Sequence, residues 1–379
     1  NLAWLGFTAR KEPYIQGLFD KGGQFTEDEK LYLLKYHFTV MGKTLSLYKK
    51  LYNENKIELC TSPFYHPILP LLIDTDCAKR ALPDISLPKH RFNFPMDAEL
   101  QIKKGVDYFT KIIGKEPSGF WPSEGSVSPE IAELLTKCNI HWFASDEDVL
   151  AHSTVDGNSN KYTNYRLDFG NSSINAIFRD KTLSDLISFH YSQVPPEQSV
   201  NDFISHLENI AHNIQAQQEP KLISIILDGE NVWEYFPDSG ENFLRMLYQS
   251  LSEHPYLETI GIGDFNRRFS PQRRIVVLHT GSWINHNFRI WIGDDEKNQA
   301  WELMTKVRKR FQRYLNNNTL SENTIEKIRE EILNAQGSDW FWWYGEPFSS
   351  ENDELFDQLF RNHLTMAYQL MRHYKSMAV

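Results

Sequence analysis

A chain of 379 residues, 41% of them apolar, can bury a large core, either as two or three domains or as one long α/β barrel. Its formal net charge of −10 argues against nucleic acid or an anionic membrane as partner, since both need clustered Lys and Arg, and suits a neutral partner. No apolar run approaches the roughly 18 residues of a membrane span, and Cys60, Cys77 and Cys138 make no CxxC pair, so reduced thiols in a cytoplasmic compartment are expected.

In chain order, "TEDEKLYLL" carries Thr26 as N-cap and Glu29 three residues on, a capping box that opens a long helix. The run "KIELCTSPF" reads as a strand, and Asp97 precedes a helix with Ile102, Val106, Phe109 and Ile113 on one face, closed by Gly114. After a strand in "SGFWPSE", Ser128 and Pro129 form an N-cap with proline at the first helical position, leading into Ile131, Leu134, Leu135 and Cys138. Strands follow in "HWFASDE" and "SINAIFRD", then a helix with the stripe Val200, Phe203, Ile204 and Leu207. "LISIILDGE", "LETIGIGD" and "RIVVLHTGSW" read as the last strands. Strands alternating with helices predict a parallel α/β barrel over 1–295, and the amphipathic segments from 296 to 379 predict a helical domain.

Polar groups stand directly after five of the apolar runs: His66, Glu124, Asp146, Arg179 and Asp228. Caps of following helices explain any one of them. In a (β/α) barrel, however, the C-terminal strand ends converge on the active-site face. Glu124 is set among Phe120 and Trp121, and Asp228 ends the most apolar run, with Glu230 two residues on. Cleavage of a glycosidic bond needs two such carboxyl groups, one kept protonated by an apolar setting. Aromatic residues make up 13% of the chain, including 10 Trp; their rings can stack on sugars or fill the core. The 13 histidines form no HExxH pair, and there is no GxSxG elbow, GxxxxGK[ST] loop or GxGxxG turn, so neither a metal nor a cofactor is expected.

Four stretches in order, "ELCTSPFYHPILPLL", "GFWPSEGSVSPE", "ILDGENVWEYF" and "GSWINHNFRIWIGDDEKNQAWELM", resemble the motifs of glycoside hydrolase family 57, in its α-amylase and amylopullulanase branch. "FRDKTLSDLISF" and "GSDWFWWYGEPFSS" are similar to that branch as well. The resemblance implies a (β/α)7 barrel followed by a helical bundle. It also implies a retaining mechanism on α-1,4-glucans, with α-1,6 bonds as a further target, and an α-glucan polysaccharide (starch or glycogen) or a maltooligosaccharide as partner. Carried over by position, Glu124 is the nucleophile, Asp228 the general acid/base and Glu230 a substrate contact, while His66 and Trp283 face the sugar. Context adds Trp121 and Arg179 as further substrate-binding residues. The family's first His-Gln-Pro type motif does not occur, so the chain is expected to lack the first barrel strand. The same site serves a 4-α-glucanotransferase or a branching enzyme, and a catalytically impaired glucan-binding fragment is the remaining alternative.

Overall fold

The structure, a computed structural model, describes residues 1–214, 221–229, 231–271, 273–317 and 321–377. The chain forms two compact units, one of Asn1–Leu59 with Arg179–Phe269, the other of Cys60–Phe178 with Ser270–Val379.

In the first unit the 27-residue helix Glu27–Asn53 starts at the predicted capping box. The Glu29 amide donates to Thr26 Oγ1 at 3.3 Å, and the Thr26 amide donates to the Glu29 carboxylate at 2.7 Å. Each bond satisfies an N–H that a helix start leaves without a partner. Helices Pro196–Ile214 and Glu241–Glu253 enclose a core that includes the predicted Val200, Phe203 and Leu207, with Tyr191, Phe236 and Phe243. Residues 221–228 form no strand. The segment is held instead by the Asp180 amide on the Ser224 carbonyl (2.8 Å) and by the Ile226 amide on Ser184 Oγ (3.1 Å), while Ile223, Ile225 and Leu227 pack on the core. The run "LETIGIGD" also departs from the strand expectation: its end opens the helix Ile262–Arg268, whose Gly263 amide donates to Glu58 at 2.7 Å.

The second unit holds a six-stranded sheet among the described residues. Its strands are β1 (Gly119–Phe120), β2 (Trp142–Asp146), β3 (Thr154–Val155), β4 (Tyr165–Phe169), β5 (Ser172–Arg179) and β6 (Arg273–Val277), in the order β1-β2-β5-β4-β6-β3. β1 pairs parallel with β2, placing Gly119 opposite Trp142; a Cβ on Gly119 would lie 2.0 Å from the Trp142 ring. The sheet is mixed, not uniformly parallel, because β4 turns back into β5 through a two-residue hairpin at Gly170 and Asn171, where Gly170 takes φ +60°. β3 likewise pairs antiparallel with β6.

The helices Asp295–Asn316, Glu322–Ala335 and Asp353–Met377 share this unit's core, through Trp301, Met304, Ile328, Phe360 and Met371. Asp97 lies within its helix and does not precede it as expected from sequence. Pro95 takes the first helical position, and Asp97 lies buried in the first turn. Its carboxylate receives Arg308 Nε at 2.8 Å and Gln336 Nε2 at 2.7 Å, tying helix Pro95–Ile113 to two later helical segments. The predicted Ser128 cap is present, accepting from the Ile131 amide. No helix among the described residues is long and apolar enough to cross a membrane.

Candidate functional site

Glu124 follows β1 in a short 3-10 turn, Ser123–Gly125, and its backbone lies in the left-handed region at φ +57°, ψ +26°. A non-glycine residue adopts that conformation at a cost and only where surrounding contacts over-determine it, which is common at functional sites. Those contacts are present. The Trp283 amide donates to the Glu124 carbonyl at 2.9 Å, and Val127 and Gly281 exchange both backbone bonds, at 2.8 and 3.1 Å. From below, buried Ser145 at the end of β2 donates its hydroxyl to the Gly125 carbonyl at 2.7 Å.

The half-buried Glu124 carboxylate accepts the indole N–H of Trp283 at 2.7 Å on Oε2. Trp121 meets Trp283 edge-on, with ring centroids 5.3 Å apart, and Gly125, itself at φ +60°, leaves room for the Trp121 ring and the Trp283 Cβ. The structure therefore brings Glu124, Trp121 and Trp283 together: an acceptor carboxylate beside two indole rings. The Ser123 and Ser126 hydroxyls flanking the turn are buried without a hydrogen-bond partner among the described residues. Most buried polar side chains find a partner.

His66, also left-handed at φ +55°, is anchored through Ser338: its Nδ1 lies 2.8 Å from Ser338 Oγ, and its carbonyl accepts the Ser338 amide at 3.0 Å. The adjoining Tyr65 hydroxyl is hydrogen-bonded to Glu330, and burial is the main cause of its strongly raised pKa. Asp228 lies in the first unit, half-buried, with Asn231 Nδ2 donating to its Oδ2 at 3.4 Å. Arg179, the last residue of β5 and the first of the segment that belongs to the same unit as Asp228, is buried, ion-paired to Asp185 at 3.2 Å and donating to the Ile226 carbonyl at 3.4 Å, two residues before Asp228. Glu230 lies outside the described residues.

Sequence reasoning passed over Ser145 and Gly281, although both support the Glu124 turn. Gly281 could be suspected only from its place before Trp283, because the need for glycine is tertiary: a Cβ there would lie 2.2 Å from the His286 carbonyl oxygen. The loop bearing Trp283 also packs three histidines. His152 stacks on His286 with centroids 3.9 Å apart, and His279 stands 5.2 Å from His152 and 5.7 Å from His286. Burial holds the His279 imidazole below its ordinary value of 6.5, and the charges of His152 and His286 add to the lowering. Among the described residues no group of three or more His, Cys, Asp or Glu could hold a metal ion.

The family model described as Glycosyl hydrolase family 57 matches residues 4–278. Among solved structures, a branching enzyme of that family from Thermococcus kodakaraensis superposes with a TM-score of 0.70 at 18% identity, over 97% of this chain and 77% of that one. An α-amylase from Thermotoga maritima gives 0.68 at 16% identity, over 100% and 79%. A 4-alpha-glucanotransferase from Thermococcus litoralis gives 0.55 at 19% identity, over 90% and 50%. At these identities the likeness shows the fold, a (β/α)7 barrel with a C-terminal helical region. No curated protein matches the chain.

Proposed function

We propose that this chain, which belongs to glycosyl hydrolase family 57, cleaves α-1,4-glucosidic bonds with retention, with α-1,6 bonds as a further target. The observation that carries this reading is the Glu124 carboxylate held beside the Trp283 and Trp121 rings on a strained turn. Rings of this kind stack on sugar faces, and a fixed carboxylate beside them is placed to attack an anomeric carbon.

In this reading a Glu124 oxygen forms a bond to the anomeric carbon while the bond from that carbon to the leaving oxygen breaks. Asp228 gives that oxygen its proton. Asp228 then takes a proton from water, whose oxygen attacks the anomeric carbon and releases Glu124. A sugar hydroxyl in place of water gives transfer or branching, the activities named for two of the solved relatives. Retention requires the two carboxyl groups to stand about 5 to 5.5 Å apart. His66, Arg179 and Glu230 are proposed to contact the substrate alongside the two tryptophans.

Turnover on amylose, amylopectin and pullulan, with product analysis, separates hydrolysis from transfer. Glu124→Gln and Asp228→Asn are each expected to lower turnover by about 10³-fold or more. A slow fluoride substrate offered to the Asp228→Asn chain should leave a glycosyl label on Glu124. Unchanged turnover in both variants, or a label on another residue, refutes the assignment.

A further inference from the structure

The helix Glu27–Asn53 carries two apolar stripes. One, Leu33 and Tyr36, lies on a small core with Leu5, Ile15 and Leu18, and the Tyr36 hydroxyl donates to the Ala9 carbonyl at 3.3 Å. The other, on the opposite side of the helical wheel, is Leu31, Leu34, Phe38, Met41, Leu45 and Tyr48, whose exposures run from 42% to 72%. From Met41 to Lys50 every residue is exposed. Steps that alternate between three and four residues are the a and d positions of a heptad, the pattern of a coiled-coil seam. Six large apolar side chains in one such row form a contiguous exposed patch that marks an interaction surface.

We propose that a second copy of this chain covers this seam, with its helix Glu27–Asn53 running antiparallel. Charge sets both the occupant and the direction. The helix starts with Glu27, Asp28 and Glu29 and ends near Lys49 and Lys50, so an antiparallel copy meets each end with the opposite sign. In that register Leu31 faces Tyr48 of the copy, Leu34 faces Leu45, and Phe38 faces Met41, which leaves no layer unfilled. The flanking positions place Asp28 opposite Lys49, and Lys35 opposite Gly42, where no charge opposes it. A parallel copy would instead set Lys30 against Lys35, two like charges. Opposed helix dipoles favour the antiparallel pair further. The helix is about 40 Å long, and six layers with their flanks bury on the order of 600–800 Å² per partner, close to a standard interface.

Light scattering and sedimentation of the full chain read the mass directly. A particle of twice the 44.5 kDa chain mass is expected, and a monomer at high micromolar concentration overturns the proposal. Phe38→Glu with Met41→Glu should return the mass to that of the monomer with the helical circular dichroism unchanged; a persisting dimer overturns the seam. Asp28→Lys should weaken the dimer by about tenfold, and Lys49→Asp added to it should restore the affinity. In a Cys60→Ser background, Leu31→Cys with Tyr48→Cys should form an intermolecular disulfide and Leu31→Cys alone should not. A disulfide through Leu31→Cys alone would mean a parallel pair and overturn the proposed direction.

Discussion

Trp283 holds Glu124 at both ends: its indole N–H donates to Oε2 at 2.7 Å and its amide donates to the Glu124 carbonyl at 2.9 Å. One residue thereby orients the carboxylate and stabilises the left-handed backbone that presents it. Trp283→Phe keeps a ring and removes only the side-chain bond. A hydrogen bond to a charged group contributes about 1.5–3 kcal/mol, so kcat should fall roughly ten- to a hundredfold with little change in thermal stability. An unchanged kcat in steady-state assays would show that the indole bond does not orient Glu124 for reaction.

Gly281 closes the backbone clasp with Val127, and a methyl group there meets the His286 carbonyl at 2.2 Å. Backbone cannot yield as a flexible side chain does. Gly281→Ala should cost about 1–3 kcal/mol in urea unfolding and lower kcat by at least about tenfold, because the shifted loop carries Trp283. A stability loss with full kcat would separate the clasp from the carboxylate.

His279 is held below its ordinary value, first by burial and then by its neighbours His152 and His286. The unfolded chain therefore binds the proton more readily than the folded chain. The stability this contributes is present above pH 6.5 and declines as pH falls below that unfolded value toward the lower folded one. Melting temperature should drop on acidification below pH 6.5, and His279→Gln should flatten that part of the curve. Calorimetry at a series of pH values checks it; an identical slope in the variant removes His279 as the cause.

The Asp97–Arg308 pair is buried, with Gln336 as third partner. Removing one partner leaves the other charge unmatched in the core. Asp97→Ala should cost about 3–5 kcal/mol, measured by urea unfolding. Asp97→Leu with Arg308→Met should recover much of the loss, since apolar replacement of both ends leaves no orphan charge. Equal losses in the single and double variants would mean that packing, not charge, sets the value.

Much of the local architecture was legible in the sequence. The Thr26 box and the Ser128 cap are short-range hydrogen bonds whose donors and acceptors lie three residues apart, so pattern alone identifies them. Asp97 reads as preceding its helix yet lies inside the first turn, because its partner Arg308 is 211 residues away and no local pattern shows the pair. The strand reading of "LISIILDGE" came from apolarity, which specifies burial but not pairing. The exposed seam on Glu27–Asn53 carries the same apolar periodicity as a core face, and only the folded chain reveals which of its two stripes is covered.

By itself, the sequence determined the family, through four motifs in order, and the carboxylates proposed for catalysis. Motif order and residue type are properties of a linear string. The tertiary structure alone decided that Trp283 grips Glu124 across 159 residues, that Ser145 supports the turn from β2, and that Gly281 must lack a side chain. These depend on distances between segments that no local propensity encodes, because packing and backbone closure set them only when the chain folds.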